Sequence, residues 1–425
     1  MSFALSSDDR AMLDAIGASG NALIERAIGW AAINSGSYHR EGLAEMIAPL
    51  AQACARLPGR VERLTLADVE QVGADGVVRR VPQAEALRLT VRPEAPVQVA
   101  LTGHYDTVYP AETGFRSVTA CADGTLNGPG IADMKGGISV MLGALEAFER
   151  HPASPALGYT VLLSPDEEIG SLASAPRLAE LARKAHVGMT YEPALPDGRL
   201  VSARSGSGNF HIVVRGRAAH AGREFAEGRN AVVAAARIAV ALAALNGQRE
   251  GLTVNVARID GGGPLNIVPQ LAVLRFNVRL PRAGDTAWLD RAIAEAMPEG
   301  EGEGLALSLH GGVNRPPKPF GAAQQSLFEA VRSVGELIGQ PIAWQPSGGV
   351  CEGNNLLAAG LPGIDTLGVR GGEIHSEREF AIPESFAERA QLSALLLAKL
   401  ADGTIDARAL RSQAAAELRG TACGN

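Results

Sequence analysis

Apolar and polar positions follow two different patterns along the chain, and the first pattern occupies both ends. Fully apolar runs of strand length are followed by polar loops and then by apolar residues at helical spacing; the clearest runs are 97–102, 159–163 and 187–191. Continuous runs of this length are typical of buried strands. Because strand, loop and helix recur three times in this order, the pattern predicts a mostly parallel sheet with crossover helices.

The residues before the first apolar run combine helical and alternating segments. A helix is predicted over 8–17, and a longer apolar-rich segment over 24–55 is interrupted by a turn signal at 34–38. Alternating positions over 61–78 and 86–91 predict half-buried antiparallel strands. The tail after Asp402 is polar and alanine-rich, and it carries no expectation beyond a possible helix.

The second pattern occupies the middle of the chain. Alternating strands and apolar-rich helical segments follow one another there; the strands are 209–215, 253–259, 271–280 and 305–309, and the helices are 231–245 and 289–297. This order predicts two helices on a four-stranded antiparallel sheet, which is a split-βαβ, or ferredoxin-like, α+β arrangement.

A return to the first pattern near the C-terminus divides the chain into two predicted domains. The predicted fold class is α/β, with a mostly parallel sheet and helices on both faces, plus an inserted α+β domain. The catalytic domain is expected to span 1–205 and 315–425, and the insert is expected to span 206–314. We expect the insert to close over the substrate as a lid and to mediate dimerisation.

Composition and charge exclude several classes of function. Hydrophobic residues make up 46% and charged residues 20% of the 425 positions, which is ordinary for a soluble globular protein. The net charge of −7 and the absence of a basic stripe argue against a nucleic-acid partner. No apolar run approaches the roughly 18 residues of a membrane span, and the N-terminus resembles no secretory signal. The expected location is therefore the cytoplasm, with no membrane partner.

The cysteines give no sign of a disulfide framework or a thiolate metal site. Cys54, Cys121, Cys351 and Cys423 are scattered through the sequence, and no two of them form a Cys-x-x-Cys pair. A metal site in this chain is therefore expected to use histidine and carboxylate ligands.

Residues of metal-binding types follow the predicted strands, where the loops of an open α/β sheet collect ligands. They are His104, Asp106, Asp133, Glu167, Glu168, Glu192 and His375. Taken singly, each has an ordinary explanation, such as a loop histidine, a helix N-cap or a solvated acidic loop. Because the loops share one sheet edge, the set can converge. Two histidines and three carboxylates without cysteine suit two divalent ions, zinc, manganese or cobalt, bridged by one carboxylate, with a fourth carboxylate free as a base.

Six motifs in order extend this interpretation to a resemblance. GHYDTVYP, NGPGIADMKGG, SPDEEIGS, YEPA, GRAAHAG and IHSERE, spread over roughly residues 20 to 400, resemble the dinuclear zinc exopeptidase family. That family contains bacterial glutamate carboxypeptidase, acetylornithine deacetylase, succinyl-diaminopimelate desuccinylase and the aminoacylases. The resemblance implies two divalent ions per chain, most naturally zinc, with manganese or cobalt as alternatives.

The resemblance also implies a role for each residue of the set. It places His104 and Glu192 on one ion, Glu168 and His375 on the other, and Asp133 between them. Glu167 is implied as the general base, and Asp106 as the support of His104. Physical chemistry agrees, because a water bridging two cations is deprotonated near neutral pH, and Glu167 would take its proton and pass it to the leaving amine.

The insert and one later loop supply the implied substrate contacts. His220 in GRAAHAG resembles a histidine that reaches a partner subunit's active site to stabilise an oxyanion, although a surface-loop histidine is the alternative. Asn266 resembles an asparagine that contacts substrate. Arg279 resembles an arginine that grips a substrate carboxylate in a bidentate clamp. The glycine-rich loop that contains Gly349 lines the substrate pocket in the family.

That glycine-rich loop also carries the main departure from the family pattern. Carboxypeptidase-like members usually have Gly-Gly-Thr-Asp there, and Val350 and Cys351 hold the threonine and aspartate positions. The change affects the expected substrate and leaves the expected metal chemistry intact. A nucleophilic Cys351 is weighed and disfavoured, because no separate histidine dyad accompanies it.

The predicted function is metal-dependent hydrolysis of an amide bond next to a free carboxylate, as in a glutamate carboxypeptidase. The alternatives are deacylation of an N-acyl amino acid, an atypical hydrolysis such as deamination of a non-peptide small molecule, and a non-catalytic metal-binding module. The expected partners are a small amide or peptide substrate and further copies of the chain, as a homodimer or higher homo-oligomer.

Overall fold

The computed structural model describes residues 4–422, with side chains up to residue 419. Cys423 therefore lies outside the described residues. The α-helices of the described part are α1 (Ser7–Ala18), α2 (Gly20–Ala31), α3 (Arg40–Cys54), α4 (Lys135–Phe148), α5 (Ala175–Lys184), α6 (Ala231–Ala243), α7 (Asp285–Ala296), α8 (Ala322–Leu337), α9 (Glu352–Ala358), α10 (Glu384–Ala401) and α11 (Ala407–Ala422). Among these residues, no helix combines the length and apolar character needed to cross a membrane.

The larger sheet has six strands and mixes two directions. In spatial order they are β1 (Arg60–Leu64), β4 (Ala86–Val91), β8 (Leu157–Ser164), β5 (Val97–His104), β9 (Val187–Thr190) and β16 (Gly363–Ile364). The pairings of β1 with β4 and of β4 with β8 are antiparallel, and the remaining three are parallel. The predicted mostly parallel sheet is confirmed, with the alternating N-terminal strands forming its antiparallel edge.

Apolar residues on both faces explain why the central strands read as continuous apolar runs. On β5, Val99 and Leu101 join the core under α4 and α10, whereas Ala100 joins a smaller core under α5 and α9. The register places His104 opposite Ser164, so β5 and β8 end level with each other. Their following loops therefore open at the same edge of the sheet.

The middle of the chain forms the second sheet and its own core. Its order is β12 (Thr253–Gly261), β13 (Leu271–Leu280), β11 (Gly206–Arg215) and β14 (Ala306–Arg315), with every pairing antiparallel. Helices α6 and α7 bury Ile238 and Leu289 against Leu274 and Phe276 of β13. This is the predicted ferredoxin-like arrangement. We propose that it forms a separate inserted domain, as expected for 206–314.

The apolar-rich segment over 24–55 lies in two helices, α2 and α3, on either side of the predicted 34–38 turn, and α11 forms in the tail where a helix was allowed. Helix α9, which follows the glycine-rich loop, was not predicted. Two smaller sheets have two strands each: β10 (Leu200–Arg204) pairs with β15 (Trp344–Ser347), and β2 (Val69–Val72) pairs with β3 (Val78–Val81). A further small sheet has four strands, in the order β17 (Gly371–Gly372), β18 (Phe380–Ala381), β7 (Leu126–Asn127) and β6 (Thr119–Ala120).

A buried ion pair joins the N-terminal helix to α10. Lys399 Nζ lies 2.8 Å from Asp9 Oδ2, and the two side chains are 6% and 1% exposed. Replacing Lys399 by Met leaves the buried Asp9 carboxylate without its lysine, and the His151 ring lies nearby, 3.4 Å from Oδ1. We expect the free energy of unfolding to fall by about 3–5 kcal/mol, measured by chemical denaturation. The double variant Asp9→Asn/Lys399→Met removes both charges and should recover part of the loss; a single-variant cost below about 1 kcal/mol would contradict this account.

Candidate metal centre

Three neighbouring strand ends bring the predicted ligands together. His104 is the last residue of β5, Glu167 and Glu168 follow the end of β8, and Glu192 follows β9. Since these strands run parallel, their C-terminal ends meet at one edge of the sheet. His104 and Glu167 are buried, Glu192 is 8% exposed, and Glu168 is partly exposed.

Asp106 organises two of these strand ends. Its Oδ1 accepts a hydrogen bond of 3.1 Å from the Glu167 amide, and its Oδ2 accepts one of 3.1 Å from the Glu168 amide. The Ser37 hydroxyl donates to Oδ2 at 2.7 Å, and His104 Nδ1 lies 3.3 Å from Oδ1. His104 Nδ1 also lies 3.0 Å from the Asp106 carbonyl, so Asp106 orients the His104 ring with its backbone and its carboxylate, and the carboxylate fixes the loop that carries the two glutamates.

Asp133 lies between the two histidines. Its Oδ1 is 3.1 Å from His104 Nε2, and its Oδ2 is 3.4 Å from His375 Nε2. Burial alone would raise the pKa of Asp133, but the hydrogen bonds from His104 and His375 hold it below its ordinary value. Each oxygen faces a different histidine, which is the arrangement that a carboxylate bridging two cations requires.

His375 completes the set from a strained loop. Its Nε2 lies 3.1 Å from Glu168 Oε2, and its side chain is 53% exposed. Both His375 and Glu373 have positive φ angles, of 64° and 54°, which non-glycine residues rarely adopt outside functional sites. Hydrogen bonds to Asp133 and Glu168 raise the pKa of His375 to about 11. The ring nitrogen therefore faces oxygens of two carboxyl groups, Asp133 and Glu168, which are suitable ligands for a cation beside it.

The donor set fits divalent metal ions. Among the described residues, two groups bring their ligand atoms within 4.8 Å of one another: His104, Glu167 and Glu192, and His104, Asp133 and Glu168. Glu192 Oε1 is buried and has no hydrogen-bond partner in the part of the chain that the structure describes. Burial, and then Asp133, raise the pKa of Glu168 to about 8. Buried carboxylates of this kind need cations beside them, and histidine with carboxylate suits zinc, manganese or cobalt.

Glu167 differs from the other acids because it has an arginine partner. Arg315 Nη1 lies 2.7 Å from Glu167 Oε1, while Arg315 Nη2 donates to the Glu167 carbonyl at 2.6 Å and to Ser171 Oγ at 2.8 Å. Burial raises the pKa of Glu167 to about 7, although Arg315 and His104 act in the opposite direction. Arg315, the last residue of β14, was missed from the sequence, because no spacing relates it to the strand-end loops.

A cleft of about 330 Å³ opens beside these acids and is lined by cationic side chains. Arg204 Nε donates to Asp365 Oδ2 at 2.8 Å, and its Nη1 donates to the Gly349 carbonyl at 3.3 Å. Arg279 Nη1 is buried and finds no hydrogen-bond acceptor among residues 4–422. Burial, and then the Arg315 charge, lower the pKa of Arg279. Arg279 and Gly349 therefore line the cleft as the resemblance implies, and Arg279 presents a free donor to it.

His220 and Asn266 lie elsewhere in the chain. Both are exposed in loops of the insert, the Ala221 amide donates to the Asn266 carbonyl at 2.9 Å, and neither side chain lines the cleft. The trans role of His220 requires a partner subunit, so it stays a prediction. The substrate contact of Asn266 stays a prediction as well.

Cys351 is turned away from the cleft. Its sulfur accepts a hydrogen bond of 3.3 Å from the Gly353 amide and lies 3.5 Å from Asp365 Oδ2, and burial raises its pKa well above the ordinary value. A nucleophilic role has no support in this geometry. Glu352 was not anticipated from the sequence either; it is fully buried and contacts the Ser164 hydroxyl beneath the site.

A mostly parallel sheet whose edge brings two histidines beside five carboxylates is typical of the metal-dependent hydrolases. Residues 100–399 match the family described as peptidase family M20/M25/M40, and the chain belongs to this family. The resemblance found from the motifs is confirmed, and the protein is a hydrolytic enzyme of the class that acts on amide or peptide bonds.

Individual comparisons agree with this assignment. The chain is 28% identical over 311 residues to carboxypeptidase G2 of Pseudomonas sp. (strain RS-16), covering 71% of this chain and 74% of that protein. It is 30% identical over 246 residues to succinyl-diaminopimelate desuccinylase of Methylorubrum extorquens, covering 54% of this chain and 63% of that protein. A dinuclear metal-binding peptidase of the M20 family from Bacillus subtilis shares the fold, with a TM-score of 0.60 and 15% identity. The match covers 91% of this chain and 99% of that one.

Proposed function

We propose that this protein hydrolyses an amide bond next to a free carboxylate, as a glutamate carboxypeptidase does, with two divalent ions, zinc first among them. The observation that carries the proposal is the buried Nη1 of Arg279, which lacks a partner among the described residues, in the cleft that also contains Glu167, Glu168 and Glu192. A buried N–H without an acceptor is costly unless a ligand anion satisfies it, and a carboxylate matches the fork of donors on a guanidinium. The similarity to carboxypeptidase G2 supports the same substrate class.

In this proposal the five ligands divide into two sets around Asp133. His104 and Glu192 would hold one ion, and Glu168 and His375 would hold the other. Divalent cations in these positions would polarise the substrate carbonyl and lower the pKa of water. The residues then need to orient the substrate and to move a proton.

Glu167 is the residue we propose for the proton transfer. Arg315 Nη1 pairs with its carboxylate at 2.7 Å, and Asp106 accepts a hydrogen bond from its backbone amide. Glu167 would accept a proton from the attacking water, and the C–N bond would break as the same proton passes to the leaving amine. Arg279 would hold the carboxylate next to that amine and so keep the scissile amide positioned beside Glu167.

Deacylation of an N-acyl amino acid is the second candidate. It is favoured by the 30% identity to a succinyl-diaminopimelate desuccinylase, and its substrates also place a carboxylate next to the amide. The atypical hydrolysis depended on the Cys351 loop, and the inward-facing thiol gives it no support. A metal-binding module without catalysis would not need the Arg315-held carboxylate of Glu167.

We also propose that the insert closes over the cleft and joins two copies of the chain. Helix α6 exposes Val233 and Val240, at 45% and 72%, on the side away from its own sheet. An apolar face of this kind suits an interface between copies. A homodimer, or a higher homo-oligomer, would bring His220 to a partner's cleft. The cytoplasmic location likewise stays a prediction.

Removal of metal should abolish activity. We expect the chelated protein to hydrolyse none of a panel of acyl-glutamates, dipeptides and short N-acyl amino acids, and zinc, manganese or cobalt to restore turnover. Release of free amine measures the result. Turnover on acyl-glutamates supports the carboxypeptidase proposal, and turnover only on short N-acyl compounds supports the deacylase. Two bound ions with no turnover on any amide would contradict both.

A further inference from the structure

Glu379 is a buried carboxylate that lies outside the candidate ligand set and makes hydrogen bonds with both of its oxygens. Oε1 accepts from the amides of Ala132, at 2.9 Å, and Asp133, at 3.0 Å. Oε2 accepts from the Gly130 amide at 3.1 Å and from the Tyr109 hydroxyl at 2.7 Å. The residue is only 1% exposed. Three of these four donors belong to the turn that presents the Asp133 carboxylate.

The same residue closes the loop that carries His375. The Glu379 amide donates to the Ser376 carbonyl at 3.0 Å, and Tyr109 Oη lies 2.8 Å from that carbonyl. The next residue, Phe380, begins β18, which pairs with β17 before the His375 loop and with β7 before the Asp133 turn. Glu379 therefore joins the two loops at the point where each leaves the small sheet.

The hydrogen bonds of Glu379 come from neutral groups. Among the residues that the structure describes, no basic side chain lies within ion-pair distance of its carboxylate; the buried Lys135 instead donates to the Ile33 carbonyl at 2.7 Å. Backbone amides in a fixed turn satisfy a carboxylate only when they all point at it. The carboxylate and the turn thus hold each other in one geometry.

We propose that Glu379 is a positioning residue that fixes the Asp133 turn relative to the His375 loop, and that it thereby sets the affinity of the ion site formed by Asp133, Glu168 and His375. The inference rests on the proposed metal centre. His375 is half exposed and has a positive φ angle, so its own packing does little to hold it. Groups that orient metal ligands typically change metal affinity by about 10- to 100-fold when they are removed.

Glu379→Gln tests the proposal because it keeps the shape of the side chain. One acceptor oxygen becomes an NH₂ group, which would face a backbone N–H or the Tyr109 hydroxyl in place of accepting from it. We would titrate the metal-free full-length protein with Co²⁺, following visible absorption and bound metal. The expected result is a second equivalent bound about 10- to 100-fold more weakly, with turnover recovered at high cobalt. The first equivalent should change less, because His104 and Glu192 also hold that ion.

Two further variants separate positioning from a loss of fold. Glu377→Gln changes an exposed carboxylate of the same loop and should bind both cobalt ions as the wild type does. Tyr109→Phe removes one donor from Oε2 and should weaken the second equivalent by less than Glu379→Gln does. If the glutamine variant does not fold, Tyr109→Phe decides, since wild-type binding in that variant would contradict the proposal.

The titration also separates this inference from the proposed function. A wild-type protein that binds fewer than two cobalt ions per chain would contradict the metal centre itself, and this inference with it. A wild type that binds two ions, together with a Glu379→Gln variant that binds both with unchanged affinity and spectrum, would overturn only the role of Glu379.

Discussion

Glu167→Gln is expected to lower kcat by about 10³-fold while the protein keeps both metal ions. The amide occupies the same space beside Arg315 but cannot accept a proton from water. The Arg315 contact at 2.7 Å holds the side chain in place, so the loss should reflect proton transfer and not disorder. Steady-state kinetics and metal analysis of the same preparation measure the two quantities together.

The neighbouring glutamate provides the matched control. Glu168 lies 3.1 Å from His375 Nε2, and we expect Glu168→Gln to lose bound metal as well as activity. The contrast matters because Glu167 also lies within 4.8 Å of His104 and Glu192, so that geometry alone permits it as a ligand. If Glu167→Gln also loses an ion, Glu167 is a ligand, and the proposed base is wrong.

Arg279→Met is expected to raise KM for a substrate with a free carboxylate by about 10- to 100-fold. Its Nη1 would lose a charge-assisted hydrogen bond to that carboxylate worth about 1.5–3 kcal/mol, and about 1.4 kcal/mol corresponds to a factor of ten. Methionine keeps much of the aliphatic volume of arginine, so the fold should persist. Initial rates over a range of substrate concentrations separate KM from kcat.

An exposed arginine of the same insert serves as the reference. Arg282 is 65% exposed and pairs with Glu250 on the surface. Arg282→Met should leave kcat and KM unchanged within about twofold, because exposed ion pairs contribute little. Equal KM values for Arg279→Met and the wild type would remove Arg279 from substrate recognition.

Much of this site could be predicted because it is built on strand ends. His104 ends a buried strand, Glu168 and Glu192 each follow one, and the parallel strands end at a common edge. A local sequence pattern therefore carries three-dimensional information there. His375 was singled out by its residue type, and the motif resemblance gave it a role, because its loop leaves a two-residue strand too short to recognise from periodicity.

The residues that were missed act across the fold. Arg315 reaches Glu167 from the last strand of the second sheet, and Glu379 reaches the Asp133 turn from a position 246 residues further along the sequence. Neither contact leaves a periodic signal, because both depend on how separate elements pack. Cys351 is the opposite case, a residue for which the sequence suggested more than the structure supports. Its position in a pocket-lining loop suggested a role in the cleft, but its thiol points inward, toward Asp365.

We propose that the cleft recognises a carboxylate beside the scissile amide. The most direct test compares hydrolysis of an acyl-glutamate with hydrolysis of the same compound carrying a carboxamide in place of the α-carboxylate, by the wild-type enzyme with both metal ions bound. We predict that kcat/KM falls by at least about tenfold for the carboxamide, since Arg279 then lacks its anionic partner. Equal rates on the two compounds would contradict the account.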